Sequence, residues 1–410
     1  MAQFFDELET RSPDERRGAL ERALSETVRF AWDRSDAWRK RLDEARIAPA
    51  GIRSLEDLPA IPVLTKDDLR RQQAAAPPFG GFLTTNLGDL PRMFVSPGPL
   101  YDPQHGEVDI GGFARGLYAA GIRPGMLVLN SFTYHLTPAG HALESGALAI
   151  GATVIPGGVG NTEQQVEVLR DCPVDGYIGT PSFLSILLER APEWRFIRAC
   201  VAAEKINEQD RASLERRGDS VRQVYGTADL GHIAAECEVA QGMHVTEDKL
   251  VEIVDPVSGA PAPTGGIGQV VVTTFSQIYP MLRFGTGDLS RWRTEEACEC
   301  GRTSPRIDGV LGRVGEGVKV RGMFVYPHHV QGALSGVDGL GELVIDREGQ
   351  QDVVVLRVAG DLGEDETEAI GHRFRELAKV RAVVERVGEG DIASPGVIRD
   401  VRDVWEGDEA

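Results

Sequence analysis

Six consecutive residues, Val224-Tyr225-Gly226-Thr227-Ala228-Asp229, place an aromatic ring, a glycine, a hydroxyl and a carboxylate where a strand gives way to a turn. Such a ring stacks on a base, the hydroxyl donates to phosphate, and the carboxylate binds a metal ion. The same stretch also reads as a plain strand-to-turn joint. A second stretch, residues 279–289 (YPMLRFGTGDL), reads as a strand ending in a Gly-Thr-Gly turn that presents Asp288. A carboxylate there accepts both hydroxyls of a ribose, and Arg283 can meet an anion through two nitrogens. The plainer account is an Asp-capped turn with an Arg–Asp pair. A third stretch, residues 312–322 (GRVGEGVKVRG), sets Arg313 and Lys319 around Gly315 and Gly317. Glycines there permit large backbone rotations, so the segment reads as a hinge or as a simple linker.

The elements that must hold these residues follow from hydrophobic spacing. Residues 13–46 read as helices opened by Ser12 and Pro13, with apolar residues at Ala19, Leu20, Leu24, Val28 and Ala31. From about residue 90, short apolar runs at 126–129, 152–155, 176–178 and 199–202 alternate with helix-length segments at 112–120, 139–150, 163–170 and 181–190. Strands alternating with helices imply a mostly parallel sheet covered on both faces. Strands are expected at 250–254, 269–274 and 280–284. After a break near 311–317, residues 341–345 and 352–358 read as a hairpin, 366–379 as an amphipathic helix, and 382–385 as a further strand. The expected class is α/β. A large N-terminal domain (1–311) with mixed sheets and covering helices is joined by a hinge (312–322) to a small mobile α+β C-terminal domain (323–410).

The chain has 410 residues, enough for more than one core, and a net charge of −19. That charge repels nucleic acid and anionic lipid, so neither is an expected partner. Only six lysines occur: Lys40, Lys66, Lys205, Lys249, Lys319 and Lys379. No apolar run approaches the length of a membrane span, and the acidic N-terminus does not read as a signal peptide. Five cysteines do not form a disulfide framework, and a reducing cytoplasm is the expected compartment.

In this order and spacing the three stretches resemble the acyl-adenylate-forming enzymes, and within them the phenylacetate–CoA ligase family. Its patterns are Y-G-x-[ST]-[ED], Y-P-[LVM]-[IL]-R-[FY]-x-T-x-D-L and G-R-x-x-x-x-[IV]-K-x-R-G-x-x-[VF]-[YF]-P; residues 322–327 (GMFVYP) complete the last. The opening residues 5–10 (FDELET) are also similar to the start of these ligases, so the resemblance spans nearly the whole chain. It implies that Tyr225 and Gly226 lie against adenine, that Thr227 and Asp229 face phosphate and Mg2+, and that Asp288 holds the ribose. Arg283 and Arg313 would also serve the nucleotide, with Lys319 a further catalytic candidate. Glu204, within Ala203-Glu204-Lys205, takes the place of the family's Gly-Glu segment beside adenine. The acid would be walled by Tyr134, His135, Thr180 and Pro181, with His232 facing the same pocket.

The implied reaction uses ATP to turn a carboxylic acid, of aryl or arylacetic type, into an acyl-adenylate and then a coenzyme A thioester. The alternatives are an amide-forming synthetase with an amine acceptor and a binding protein that has lost adenylation. Two departures bear on this choice. The family's S-S-G-T-T-G phosphate loop is replaced by residues 94–101 (FVSPGPLY), whose prolines lack N–H donors. The family's C-terminal lysine has no counterpart in residues 393–399 (ASPGVIR), where Arg399 is the nearest substitute. Four further residues, Cys237, His244, Cys298 and Cys300, sit just beyond the first two motifs. Three thiolates and an imidazole suit tetrahedral zinc, and some relatives hold a structural zinc here. Cys172 and Cys200 read as core residues. The resemblance also allows a homodimer, with the N-terminal helices as the contact.

Overall fold

The Ser12 hydroxyl accepts the Glu15 N–H, and the Glu15 carboxylate accepts the Ser12 N–H at 2.9 Å, so helix α1 (Pro13–Arg34) begins on a reciprocal cap. A computed structural model describes the chain over residues 4–96, 99–104, 106–293, 297–315, 317–320, 323–337, 339–348, 351–360, 362–392 and 396–402. The chain divides into two compact units, Met1–Val310 and Leu311–Ala410. After α1 comes α2 (Asp36–Glu44), then α3 (Lys66–Ala75), which starts on a second reciprocal cap between Thr65 and Asp68. A hairpin of β1 (Met93–Ser96) and β2 (Leu100–Pro103) precedes α4 (Phe113–Ala119).

Strand and helix then alternate. The order is β3 (Leu127–Asn130), α5 (Ala139–Ile150), β4 (Thr153–Pro156), α6 (Thr162–Asp171), β5 (Gly176–Gly179), α7 (Pro181–Arg190), β6 (Phe196–Val201), α8 (Glu208–Glu215) and β7 (Gly218–Thr227). These five strands are parallel, in the spatial order β4, β3, β5, β6, β7. The sheet continues from β7 through antiparallel neighbours β8 (Gly231–Glu236) and β9 (Met243–Val245). A second set of antiparallel strands comprises β10 (Lys249–Val254), β11 (Gly268–Thr274) and β12 (Phe284–Ser290). The short β13 (Arg306–Ile307) returns to close the large sheet beside β9.

Strand side chains alternate between the sheet's two faces, and the alternation assigns two cores. Val128, Ile178, Cys200 and Val224 pack under α4 and α5. Their neighbours Leu129, Tyr177, Ala199 and Val221 pack under α6, α7 and α8. A third core joins α1 and α2 to β10, β11 and β12. Cys200 is fully in the first core, and Cys172 packs beside the second.

The sequence places a strand at 280–284 and a turn at Gly-Thr-Gly, whereas the structure runs strand β12 through the glycines instead. Residues 279–283 are irregular and fastened from outside: Trp38 Nε1 donates to Pro280 O at 2.7 Å, and Met281 N donates to Thr274 Oγ1 at 3.0 Å. The ladder shows why the pattern misleads. Gln269 pairs with Leu289 and Val271 with Gly285, so the single Val270 faces the three residues 286–288. This bulge, with Gly287 at φ 82°, interrupts the period-2 signal while remaining inside a strand.

The second unit opens with β14 (Gly312–Arg313) and a hairpin of β15 (Val318–Val320) and β16 (Met323–Val325), followed by α9 (Pro327–Ala333). Then come β17 (Leu340–Glu348), β18 (Gln351–Ala359), α10 (Glu364–Ala378), β19 (Val383–Val387) and β20 (Ile398–Asp400). The sheet order is β19, β18, β17, β20, with Ile370 and Phe374 of α10 packed on Leu343, Ile345, Leu356 and Val358. Residues Pro97 and Gly98 of the altered phosphate loop, residues 393–395 and Arg321–Gly322 lie outside the described residues. No described helix is long and apolar enough to cross a membrane.

Trp38 is fully buried and meets Phe82 edge-on at 5.2 Å, so it joins the N-terminal helices to the segment that leads into β12. Trp38→Ala is expected to lower unfolding stability by roughly 3–5 kcal/mol, measured by urea denaturation.

Candidate active site and metal centre

Parallel strands bring their C-terminal ends to one edge, and in such sheets the loops beyond that edge bind ligands. Tyr134 and His135 follow β3, Thr180 and Pro181 follow β5, Glu204 follows β6, and Tyr225 to Asp229 close β7. The first two motifs meet here. Tyr225 Oη donates to Asp288 Oδ2 at 2.9 Å, and both residues are 7% exposed. The bulge in β12 turns Asp288 toward this point, and the Asp288 N–H is held by Thr286 Oγ1 at 3.0 Å. Gly226 is required by space: a Cβ there would lie 2.6 Å from Gly231 O.

Beyond the tyrosine, the end of β7, the turn after it and β2 carry three acidic or hydroxyl side chains with buried oxygens. Thr227 Oγ1 and Asp229 Oδ1 are buried without hydrogen-bond partners. Lys66 Nζ stands 3.2 Å from Asp229 Oδ2. Asp102, on β2, is 5% exposed, and neither of its oxygens accepts a hydrogen bond. Burial raises its carboxyl well above the usual range; the nearby Asp229 charge adds to this, and Ser96 and Lys66 oppose it. Ser96 does not close a hydrogen bond to it, because its hydroxyl donates to Leu100 O at 3.4 Å. Lys66 and Asp102 carry no motif in the sequence. The available signals were the scarcity of lysine and the position of Lys66 in the first turn of a capped helix.

Two predicted site residues belong elsewhere. Arg283 is 1% exposed, and each guanidinium nitrogen is committed. Nε donates to Glu252 Oε2 at 3.0 Å, Nη1 to Ile61 O at 2.8 Å and Nη2 to Gly259 O at 2.7 Å. It is a structural fastener with φ 47°, not an anion ligand. His232 is packed under α4, where a Cβ on Gly116 would approach its Nε2 to 2.5 Å and Phe113 lies 5.8 Å from its ring. Burial, and then the charge of Lys249, push its pKa down to about 3, so it is a neutral core imidazole.

The remaining predicted residues stay at the edge. Tyr134 is half-buried, accepts from Asn130 Nδ2 at 2.9 Å and meets His141 edge-on at 5.1 Å. His135 is exposed, its N–H held by Thr133 Oγ1 at 3.2 Å. Thr180 caps α7 and Pro181 is that helix's buried first residue. Glu204 accepts from Ser182 Oγ at 2.8 Å and from Ser182 N at 3.2 Å, tying the ends of β5 and β6 together. In the second unit, Arg313 is exposed on β14 and Lys319 lies on β15.

The four metal candidates converge. The ligand atoms of Cys237, His244, Cys298 and Cys300 all lie within 4.8 Å of one another, and all four residues are buried. Cys237 Sγ and Cys298 Sγ are 3.7 Å apart, and Cys300 Sγ is 3.4 Å from His244 Nε2. Tetrahedral bonds of about 2.3 Å to sulfur and about 2.0 Å to nitrogen require edges of about 3.8 and 3.5 Å, close to those separations. His244 Nδ1 lies 3.1 Å from Ser304 O, a carbonyl that can only accept, so Nε2 is left for a metal. Hydrogen bonds from Cys237, His244 and the Arg302 N–H draw the Cys300 thiol well below its ordinary range. The neighbouring Arg302 anchors the N-terminus through Nε to Glu9 Oε1 at 2.6 Å, while Glu9 Oε2 accepts the Phe5 N–H at 2.6 Å.

No family model matches the chain. It is 35% identical to a phenylacetate–coenzyme A ligase of Thermus thermophilus, over 94% of this chain and 93% of that one. The enzyme of the same name from Escherichia coli is 30% identical, over 86% and 84%. Among solved structures, an open conformation of 2-hydroxyisobutyryl-CoA ligase with 2-HIB-AMP and CoA superposes with a TM-score of 0.84. Its identity is 26%, over 96% of this chain and 92% of that one. The fold and this edge therefore define an adenylate-forming acid–thiol ligase. Within that class, the chain belongs to the phenylacetate–CoA ligase family.

Removing one partner of a buried ion pair strands the other charge, at a cost of roughly 3–5 kcal/mol. Arg283→Met is therefore expected to destabilise the protein by about that amount in urea unfolding. An anion ligand would instead show lost nucleotide affinity at unchanged stability.

Proposed function

We propose that the protein activates an aryl or arylacetic acid with ATP and delivers the acyl group to coenzyme A. A carboxylate oxygen of the acid attacks the α-phosphorus and pyrophosphate leaves with the bonding pair. The CoA thiolate then attacks the acyl carbonyl of the adenylate, and AMP leaves. The observation that carries this reading is the buried Tyr225–Asp288 hydrogen bond, which joins the two residues assigned here to adenine and ribose. The ring of Tyr225 would stack on adenine while Asp288 binds the ribose hydroxyls. Lys66 and the unpartnered Thr227 and Asp229 oxygens suit the phosphates and Mg2+. Mg2+, when bound, would neutralise phosphate charge. The aromatic lining offered by Tyr134, with His141 against it, favours an aromatic acid.

Arg313 is assigned to the nucleotide and Lys319 to catalysis on their motif positions. Residues 312–322 are assigned to a hinge, supported by Gly315 at φ 99°, where a Cβ would meet nothing within 4 Å. Zinc is the proposed occupant of the Cys237, His244, Cys298 and Cys300 cluster, with a structural role, since four protein ligands leave no open position.

AMP and pyrophosphate are expected from ATP with an aromatic acid, and the acyl-CoA with them. Tyr225→Phe removes one hydrogen bond to a carboxylate, worth roughly 1.5–3 kcal/mol, and should lower kcat/KM for ATP about ten- to a hundredfold. Release of AMP with an amine but not with CoA would transfer the chain to the amide-forming class. Binding of ATP or acyl-CoA with no AMP from any acid in an aromatic and aliphatic panel would make it a binding protein.

Protein purified without an affinity tag should contain close to one equivalent of zinc. Its removal by chelator should lower the melting temperature and expose residues 4–16 to protease. Less than a tenth of an equivalent would argue against zinc.

A further inference from the structure

A cavity of about 20 Å3 lies beneath α4, with Glu9, Arg115, Gly116, His232, Glu247 and Arg302 in its wall. These residues are buried except Arg115, which is half-buried. Four nitrogens on this wall's residues are unaccounted for by the protein's own groups. Both ring nitrogens of His232 and both terminal nitrogens of Arg302 lack a hydrogen-bond partner, although the residues are only 2% and 3% exposed. The imidazole turns Nε2 toward Gly116, where a Cβ would lie 2.5 Å from it, and Gly116 itself borders the cavity. Arg302 has committed only Nε, to Glu9 Oε1 at 2.6 Å. Unpaired buried donors are costly, and two such side chains on one cavity point to something that pairs them.

Size and charge decide what that is. One water needs roughly 10–15 Å3, so the cavity holds a water and is too small for a phosphate or a carboxylic acid. Two acids, Glu9 and Glu247, face two guanidinium groups, Arg115 and Arg302, so these four charges cancel and a bare anion would meet no excess of positive charge. The oxygens of both acids are already engaged, Glu9 by Arg302 and the Phe5 N–H, and Glu247 by Arg11 and Arg16. A neutral imidazole offers one donor and one acceptor, and a guanidinium offers donors alone. Water accepts from the guanidinium and then either donates to the ring or accepts from it, which suits both tautomers.

We propose that this cavity is a binding site for one buried water, held between Arg302 and His232. The two residues belong to different parts of the first unit. Arg302 follows Cys300 in the cysteine-bearing loop, and His232 stands on β8 opposite Gly226 of β7. The water therefore joins that loop to the strand pair that carries Tyr225. The site stands whatever reaction the protein catalyses.

The test is a crystal structure of the protein as purified, at a resolution that shows single waters, from crystals grown in chloride and again in bromide. One density peak is expected in the cavity, about 2.7–3.2 Å from a ring nitrogen of His232 and from a terminal nitrogen of Arg302. It should carry no anomalous signal at the bromide edge. A cavity without density overturns the proposal, and so does an anomalous bromide peak, which would make the site one for a halide. His232→Leu removes both ring nitrogens and should lose the peak; an unchanged peak in that variant shows that the imidazole is not a partner and also overturns the proposal. If the variant does not fold, the density in the parent protein decides alone.

Discussion

A buried hydrogen bond from the phenol of Tyr225 to the carboxylate of Asp288 helps tie the large sheet to the sheet of β10, β11 and β12, beside the bond from Lys249 Nζ to His232 O. Charge-assisted hydrogen bonds of this kind are stronger than neutral ones, and burial keeps water from competing. The surrounding features serve it. The bulge in β12 aims the carboxylate, Gly226 lets β7 and β8 approach, and the fastened segment 279–283 delivers the chain to the bulge. A site assembled this way is stiff around the Tyr225 ring. Beyond it, buried acid oxygens outnumber the one lysine that meets them.

The chain's cations explain that asymmetry. Most arginines near the core of the first unit are already engaged by buried acids. Arg11 and Arg16 hold Glu247, Arg211 holds Glu236, Arg283 holds Glu252, and Arg302 holds Glu9. Planar guanidinium groups suit such pairs because they bond two or three acceptors at once. Lysines are few in this acidic chain. Lys66, placed against Asp229, therefore matters more than its lack of a motif suggests.

Much of this was legible in the sequence because strand and helix periods are local properties. The helices at 139–150 and 181–190 and the parallel strands between them follow directly from apolar spacing. The four metal candidates were recoverable from residue type, although only the fold could bring Cys237 to Cys298, 61 residues away. The failures share a different cause. The Gly-Thr-Gly stretch looked like a turn because a bulge breaks the alternation that marks a strand. Arg283 and His232 looked like ligands because residue type says nothing about which carbonyls or helices lie overhead. Asp102 was invisible because its significance depends on a carboxylate 127 positions later in the chain.

The N-terminal segment carries a consequence for biosynthesis. Glu9 is secured by Arg302, its partner 293 residues along the chain, and Thr303 N donates to Glu9 O at 3.0 Å. At about 5–20 residues per second, a ribosome takes roughly 15–60 s to reach that partner. The first residues to emerge are thus among the last to be seated, and the cysteine-bearing loop that receives them acts as the clasp closing a domain most of whose large sheet is already made.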